Sequence, residues 1–183
     1  FAFSEAAMLI YDFFWGDYCD WYLEMSKVKK NPAVLKYVLE VSLKLMHPFI
    51  PFVSEAIWEN LNPKKMLILE GWPKSNEKYN FPEESDQLMK VMDLIKSIRS
   101  LRKESNVDAT KKIHAIIYAH EDLQLIKDKH EIIKRLANLG ELELSATGKK
   151  IDKSLTTFIG DIEIYLPLAD LVDIEVERSR TAR

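Results

Sequence analysis

The sequence predicts a mostly α-helical protein, in which a helical bundle is followed by a small α/β domain with a short mixed sheet and a C-terminal helix. Two observations lead to this fold class. Between residues 4 and 27, apolar side chains recur at steps of four, four, three and four, the spacing of one helical face. They are Ile10, Phe14, Tyr18, Trp21 and Met25. After Asn106 the pattern changes to alternating, β-branched segments, which indicate strands.

The first helix carries aromatic rings on a second strip, formed by Tyr11, Trp15 and Tyr22. We therefore expect it to be buried on two sides, as the central member of the bundle, with Trp15 and Trp21 in the core. Cys19 on the same helix is expected to be a small buried hydrophobic residue, as free cysteines usually are.

Three more helices are predicted in the bundle. Asn31 and Pro32 are typical of an N-cap and a first helical position. The prolines of HPFIPF end this helix, because proline cannot continue an interior hydrogen-bond ladder. Ser54 and Glu55 are then expected to form the cap and first turn of the next helix. Residues 86–105 form the last predicted helix, after an irregular connection with a short extended piece.

The predicted domain limits follow this change of pattern, with the bundle at residues 1–106 and the α/β domain at 107–168. Within the second domain, KIHAIIYAH, ELELSA, LTTFI and DIEIYLPL have the composition of strands. EDLQLIKDKHEIIKRLANLG is predicted to be a helix that ends at Gly140. Gly160–Asp161 is a hairpin signal. Residues 169–183 are expected to begin a C-terminal helix or coiled-coil arm.

Composition and motifs exclude several classes of function. The net charge of −3 and the pI of about 5.9 argue against a global basic field. The sequence has no apolar run of about 18 residues, so we expect no membrane span. The one cysteine excludes a multi-cysteine zinc cluster. Without a glycine-rich phosphate loop or metal-binding histidine spacing, we predict no catalytic residue, metal ligand or cofactor here. His47 is expected to bond to a carbonyl freed by the proline break.

A basic stripe and a group of acids are the candidate binding features. Lys96, Arg99 and Lys103 share one helical face, with Arg102 beside them, and could contact RNA phosphates. The alternative is a solvated surface stripe. Asp20 and Glu24 lie among aromatic rings, where acids could accept hydrogen bonds from base amino groups. The alternative is that they cap or bond neighbouring helices.

Four segments resemble, in order, the post-catalytic region of valine–tRNA ligases. They are YDFFWGDYCDWYLEMSK, LKLMHPFIPFVSEAIWENL, MLILEGWP and IKSIRSLRKESNV. The second is similar to the ligases for isoleucine, leucine and methionine as well, so it indicates only the superfamily. The stretch YCDWYLE resembles the valine-type form. The closing YLPLADLVDIEVERSR resembles the passage into the C-terminal coiled-coil arm of these enzymes.

The resemblance implies that the chain is the anticodon-binding region of such a ligase, with the first bundle helix truncated. The two ATP-handling signatures and the editing domain of this class are absent from the sequence, so we expect the fragment itself to be inactive. The full-length ligase would attach valine to its tRNA with ATP and Mg. The implied setting is cytoplasmic, with the full-length enzyme a monomer.

The resemblance also implies which residues contact the anticodon stem-loop of valine tRNA, since the family identifies this tRNA largely by the middle A and last C of its anticodon. Leu23 and Glu24 point away from the apolar stripe, and together with Asp20 and Lys27 they are the candidates for contact near these bases. Two alternatives stay open. One is the same region of an isoleucine-type ligase, and the other is a non-catalytic helical protein-interaction module.

Overall fold

The first element of the computed structural model, which describes residues 2–167, is one continuous helix, α1. It combines α-helical turns over Phe3–Asp12, a π-helical segment over Phe13–Tyr22 and a last α-helical turn over Leu23–Ser26. Because π-helical hydrogen bonds reach five residues back instead of four, the side chains of this segment follow a longer repeat than the α-helical repeat that the sequence predicted. The C-terminal helix predicted for residues 169–183 lies outside the described residues.

Two further helices complete the first part of the fold, α2 over Pro32–Met46 and α3 over Pro51–Leu61. The predicted cap of α2 is confirmed, since Asn31 Oδ1 accepts a hydrogen bond from the Val34 amide at 3.3 Å. Helix α2 packs against both α1 and α3. The core here is formed by Leu43, Trp58 and Leu67, with Leu39, Met46 and Leu61 packed around it. Leu67 belongs to a short 3-10 turn, where the sequence predicted an extended piece.

The break between α2 and α3 is held by side-chain hydrogen bonds. The expected cap role of Ser54 was wrong, because Pro51 already opens α3 and Ser54 lies buried inside it. Its hydroxyl donates to the Ile50 carbonyl at 2.9 Å and lies 2.8 Å from His47 Nδ1. His47 therefore pairs with a hydroxyl that bonds the first carbonyl of α3, which also accepts the Ser54 amide at 3.1 Å, rather than bonding a freed carbonyl itself. Glu55 Oε1 accepts from the Leu67 amide at 2.7 Å and ties the loop to α3.

The second part of the fold starts with a long helix, α4, over Pro82–Glu104, which contributes the buried residues Val91, Leu94, Ile95 and Ile98. Strand β1 spans Ile113–Tyr118, and two short helices follow, α5 over Leu123–Asp128 and α6 over His130–Leu136. Strands β2, β3 and β4 span Leu139–Ser145, Ser154–Ile159 and Ile162–Pro167.

The four strands form one mixed sheet in the order β2-β1-β4-β3. Strand β1 is parallel to β2 and antiparallel to β4, and β3 pairs antiparallel with β4. The predicted hairpin turn between β3 and β4 is confirmed, with Gly160 at a φ of +54°, a conformation that glycine adopts without strain. The predicted fold class, helices followed by a small α/β part with a mixed sheet, is therefore confirmed.

One predicted helix end was wrong. The segment expected to run as one helix to Gly140 is divided into α5 and α6, and Gly140 lies inside β2. The left-handed residue after α6 is Asn138, with a φ of +51°. Asparagine tolerates this conformation better than most residues. Here its side chain also donates to the Ala109 carbonyl at 2.7 Å, which helps to hold the turn.

The chain divides into two compact units between Asn80 and Phe81. This division differs from the boundary expected after residue 106, because α4 packs on β3 and α6 and so belongs with the sheet. The domain limits of 1–106 and 107–168 stay a prediction about how the chain is organised for function. Below, the part up to Asn80 is called unit 1 and the part from Phe81 is called unit 2.

Candidate nucleic-acid interface

Several aromatic rings lie next to one another along the π-helical segment of α1. Phe14, Tyr18 and Tyr22 form a ladder, with ring centroids 5.5 Å and 6.3 Å apart. Tyr18 is buried, and its hydroxyl donates to the Leu35 carbonyl at 3.0 Å, which ties α1 to α2. Burial raises the pKa of Tyr18, and the neighbouring Cys19 adds to the shift. Tyr18 is thus a structural residue that joins the two helices.

The core position expected for Trp15 was wrong, because 52% of this residue is exposed. Its ring meets Phe14 edge-on at 5.8 Å and lies 6.3 Å from Tyr11, which is also exposed. Trp21 is half-buried. The longer repeat of the π-helical segment moves these side chains out of the strips that an α-helical repeat predicts.

The predicted base-contacting residues lie at the end of α1. Asp20 is exposed, and Leu23 is 38% exposed although it is apolar. Glu24 and Lys27 form an ion pair within the last turn and remain partly open to solvent. Cys19 is only half-buried, against the expectation, and its pKa is raised by burial and then by the charge of Asp20. This end of α1 therefore presents one apolar and three charged side chains.

Basic residues of α4 bond to other groups of the protein, which the sequence did not predict. Lys96 pairs with Asp93 at 3.0 Å, and Lys103 is exposed. Arg99 is exposed, yet its Nε donates to the Leu136 carbonyl at 2.9 Å, the end of α6. These four residues of the basic stripe, Lys96, Arg99, Arg102 and Lys103, lie in unit 2, whereas the base-contacting candidates lie in unit 1.

Arg102 is the clearest correction among the candidate contacts. It is only 6% exposed, and its guanidinium donates to backbone carbonyls. Nη1 donates to Ala137 and Asn138 at 3.1 Å and 2.7 Å, and Nη2 donates to Asp108 and Lys111 at 3.1 Å and 2.7 Å. Burial lowers its pKa, and the charge of Asp108 opposes this shift. These hydrogen bonds occupy both terminal nitrogens of the guanidinium, so Arg102 is a structural residue rather than a phosphate contact.

The sequence reasoning did not single out two exposed lysines next to the candidate site. Lys29 and Lys30 lie in the turn between α1 and α2. The available signal was local charge, because residues 25–39 contain lysines and no acidic residue. The prediction emphasised the α4 stripe instead, since helical spacing made that stripe easier to recognise.

Other kinds of site are not found among residues 2–167. In this part of the chain, no group of histidine, cysteine, aspartate and glutamate residues could hold a metal ion. None of the helices described there is long and apolar enough to cross a membrane.

Comparison with known families identifies the class of this protein. The family model described as the anticodon-binding domain of tRNA ligase matches residues 1–117. The chain therefore belongs to the family of anticodon-binding domains of tRNA ligases.

Individual relatives show which kind of tRNA ligase the chain is similar to. The chain is 34% identical to a valine–tRNA ligase of Bacillus cereus and 33% identical to one of Staphylococcus carnosus, over 98% of this chain in each case. A valine–tRNA ligase of Petrotoga mobilis is 34% identical over 99% of the chain. The chain spans about a fifth of the length of these relatives, 22% in each comparison.

Proposed function

We propose that this chain is the anticodon-binding region of a valine–tRNA ligase and that it binds the anticodon stem-loop of valine tRNA. The observation that carries the proposal is the similarity to valine–tRNA ligases over nearly the whole chain. The exposed end of α1, where Leu23 lies between charged side chains, supports it. An apolar side chain can pack on a base, and neighbouring acids can accept from base amino groups.

The proposal also concerns the full-length enzyme, of which this chain would be one region. The full-length ligase would attach valine to its tRNA with ATP and Mg, in the cytoplasm and as a monomer. This region would contribute tRNA binding only, and the chain alone would show no aminoacylation. The residues proposed to contact RNA are Asp20, Leu23, Glu24, Lys27, Lys96, Arg99 and Lys103.

We expect this chain to bind an unmodified valine tRNA transcript more tightly than an isoleucine tRNA transcript. The reason is that base contacts discriminate between anticodons, whereas phosphate contacts do not. The measurement is a binding titration with both transcripts at one fixed salt concentration. Tighter binding of the isoleucine transcript would support the isoleucine-type alternative, and binding of neither would support an interaction module.

We expect Leu23→Ala and Glu24→Gln to reduce the preference for the valine anticodon over a mutated anticodon. Each lost base contact should reduce it by about 1–3 kcal/mol. The measurement is binding of wild-type and anticodon-mutant valine tRNA by each variant. Glu5→Gln, which removes an exposed acid from the other end of α1, is the matched control and should leave the preference unchanged. Full discrimination by both variants would place base recognition elsewhere.

A further inference from the structure

The turn between α1 and α2 concentrates positive charge. Residues 25–39 contain four lysines and no acidic residue, and the lysines are Lys27, Lys29, Lys30 and Lys36. The rest of α1 has the opposite character, because every charged residue from Phe3 to Glu24 is acidic. The acids are Glu5, Asp12, Asp17, Asp20 and Glu24. The charge therefore changes sign at the end of α1, next to the candidate base contacts.

Two of the four lysines have no acidic partner in the structure. Lys27 pairs with Glu24, and Lys36 lies 3.6 Å from Glu40, in each case within one helix. Lys29 and Lys30 are exposed and form no ion pair with any residue of the described range 2–167. The turn thus carries two positive charges that no acidic side chain of residues 2–167 neutralises.

The backbone around these lysines is ordered by hydrogen bonds. The amides of Val28 and Lys29 donate to the Met25 carbonyl at 3.0 Å and 3.4 Å, which continues the end of α1 into the turn. Helix α2 starts directly after it, and the N-terminal end of a helix adds a partial positive charge. The backbone of Lys29 is thus hydrogen-bonded to the last turn of α1, which carries Leu23 and Glu24.

We propose that Lys29 and Lys30 bind backbone phosphates of the anticodon stem-loop and so place its bases against Leu23 and Glu24. The proposal rests on the proposed function. The acids along α1 repel a polyanion, so RNA can approach this helix closely only at its lysine-bearing end. A flexible ammonium group also suits a phosphate contact that carries no sequence information.

The test compares two double variants with the same charge change. In Lys29→Gln/Lys30→Gln, valine tRNA binding near 0.1 M salt should weaken by roughly tenfold or more, and the slope of log affinity against log salt should become shallower by about 1–2. The control is Lys64→Gln/Lys65→Gln, because this exposed pair lies in unit 1 but far along the chain from the end of α1. The control should change binding and slope little.

Two further comparisons test whether Lys29 and Lys30 act as phosphate contacts. Anticodon-mutant tRNA should lose as much affinity as valine tRNA when Lys29 and Lys30 are changed, since phosphate contacts do not depend on base identity. Lys29→Arg/Lys30→Arg keeps the charge and should retain binding, while melting temperatures confirm that every variant folds.

The outcomes separate the proposal from the proposed function. If wild-type chain binds tRNA and the Lys29/Lys30 variant binds equally well, the phosphate site is wrong and the proposed function stands. An equal loss in the Lys64/Lys65 control would mean that only net charge matters, which also overturns the site. A loss confined to the valine anticodon would make the lysines base contacts instead. If the wild-type chain binds no tRNA, both proposals fail.

Discussion

Replacing Arg102 with leucine is expected to lower the free energy of unfolding of unit 2 by at least about 3 kcal/mol. The guanidinium is almost fully buried and donates to four carbonyls at 3.1 Å or less. Hydrogen bonds from a charged donor contribute about 1.5–3 kcal/mol each, and a buried acceptor left without a donor costs about 1–3 kcal/mol. These contributions are not additive, but leucine removes all of them together.

The structural reason for this large effect is the number of segments that Arg102 joins. It comes from the last turn of α4 and binds both the loop before β1 and the turn after α6. Without it, the Asn138 side chain would still donate from that turn to the Ala109 carbonyl at 2.7 Å and to the Lys111 carbonyl at 3.4 Å. We therefore expect the end of α4, the loop and the turn to separate from one another before the sheet unfolds.

The measurement for Arg102 is urea unfolding followed by circular dichroism. Arg102→Lys is expected to restore only part of the stability, because an ammonium group cannot reach both pairs of carbonyls as a planar fork does. Lys103→Gln is the matched control, and since Lys103 is an exposed cation on the same turn of α4, its replacement should change the stability by about 0.5 kcal/mol or less. A loss below about 1 kcal/mol for Arg102→Leu would contradict its structural role.

The sequence predicted the elements well where residues with special backbone preferences are the deciding signal. The helices α2 and α3, the β3–β4 hairpin and the cap at Asn31 all follow from proline, glycine and asparagine chemistry. Such local rules act through a few neighbouring residues, so they do not depend on the rest of the fold. The fold class could be predicted because the spacing of apolar residues changes from helical to alternating near residue 106.

The sequence did not predict departures from regular helix geometry or contacts between segments that are distant along the chain. An α-helical repeat placed Trp15 in the core, but the π-helical segment of α1 leaves it exposed. Arg102 resembled a surface residue because its helical neighbours are charged, and its carbonyl acceptors lie in segments distant in sequence. Gly140 resembled a helix end, but Asn138 took the left-handed position.

For the candidate site, helical spacing could predict which side chains of α1 are accessible, but not which lysines are paired. Leu23 and Glu24 could be singled out because they fall off the apolar stripe, and both are accessible in the structure. Which lysines are free depends on which acids lie near them in space. Neither the spacing of residues along α4 nor the composition of the chain shows which acids lie near a given lysine in space.

Replacing Trp58 with alanine is expected to cost unit 1 about 3–5 kcal/mol, the usual range for removing a large aromatic side chain from a core. Trp58 is 3% exposed and lies in the core with Leu43 and Leu67. The Lys44 ammonium lies 5.3 Å from its ring centroid, so a cation–π contact is lost as well. The indole Nε1 makes no hydrogen bond to the described residues, so the cost comes from packing.

The size of the Trp58 effect follows from how few buried residues this core contains. Trp58 comes from α3, Leu43 from α2 and Leu67 from the loop after α3, so one ring joins three segments. Trp72→Ala is the matched control, since Trp72 is mostly exposed and its removal should change stability by about 0.5 kcal/mol or less. Urea unfolding of both variants tests the difference, and Trp58→Phe should recover much of the loss because it refills most of the cavity. Equal stabilities for Trp58→Ala and Trp72→Ala would show that α2, α3 and the loop are held together by other contacts, of which the Lys44–Glu70 ion pair at 3.0 Å would be the first to examine.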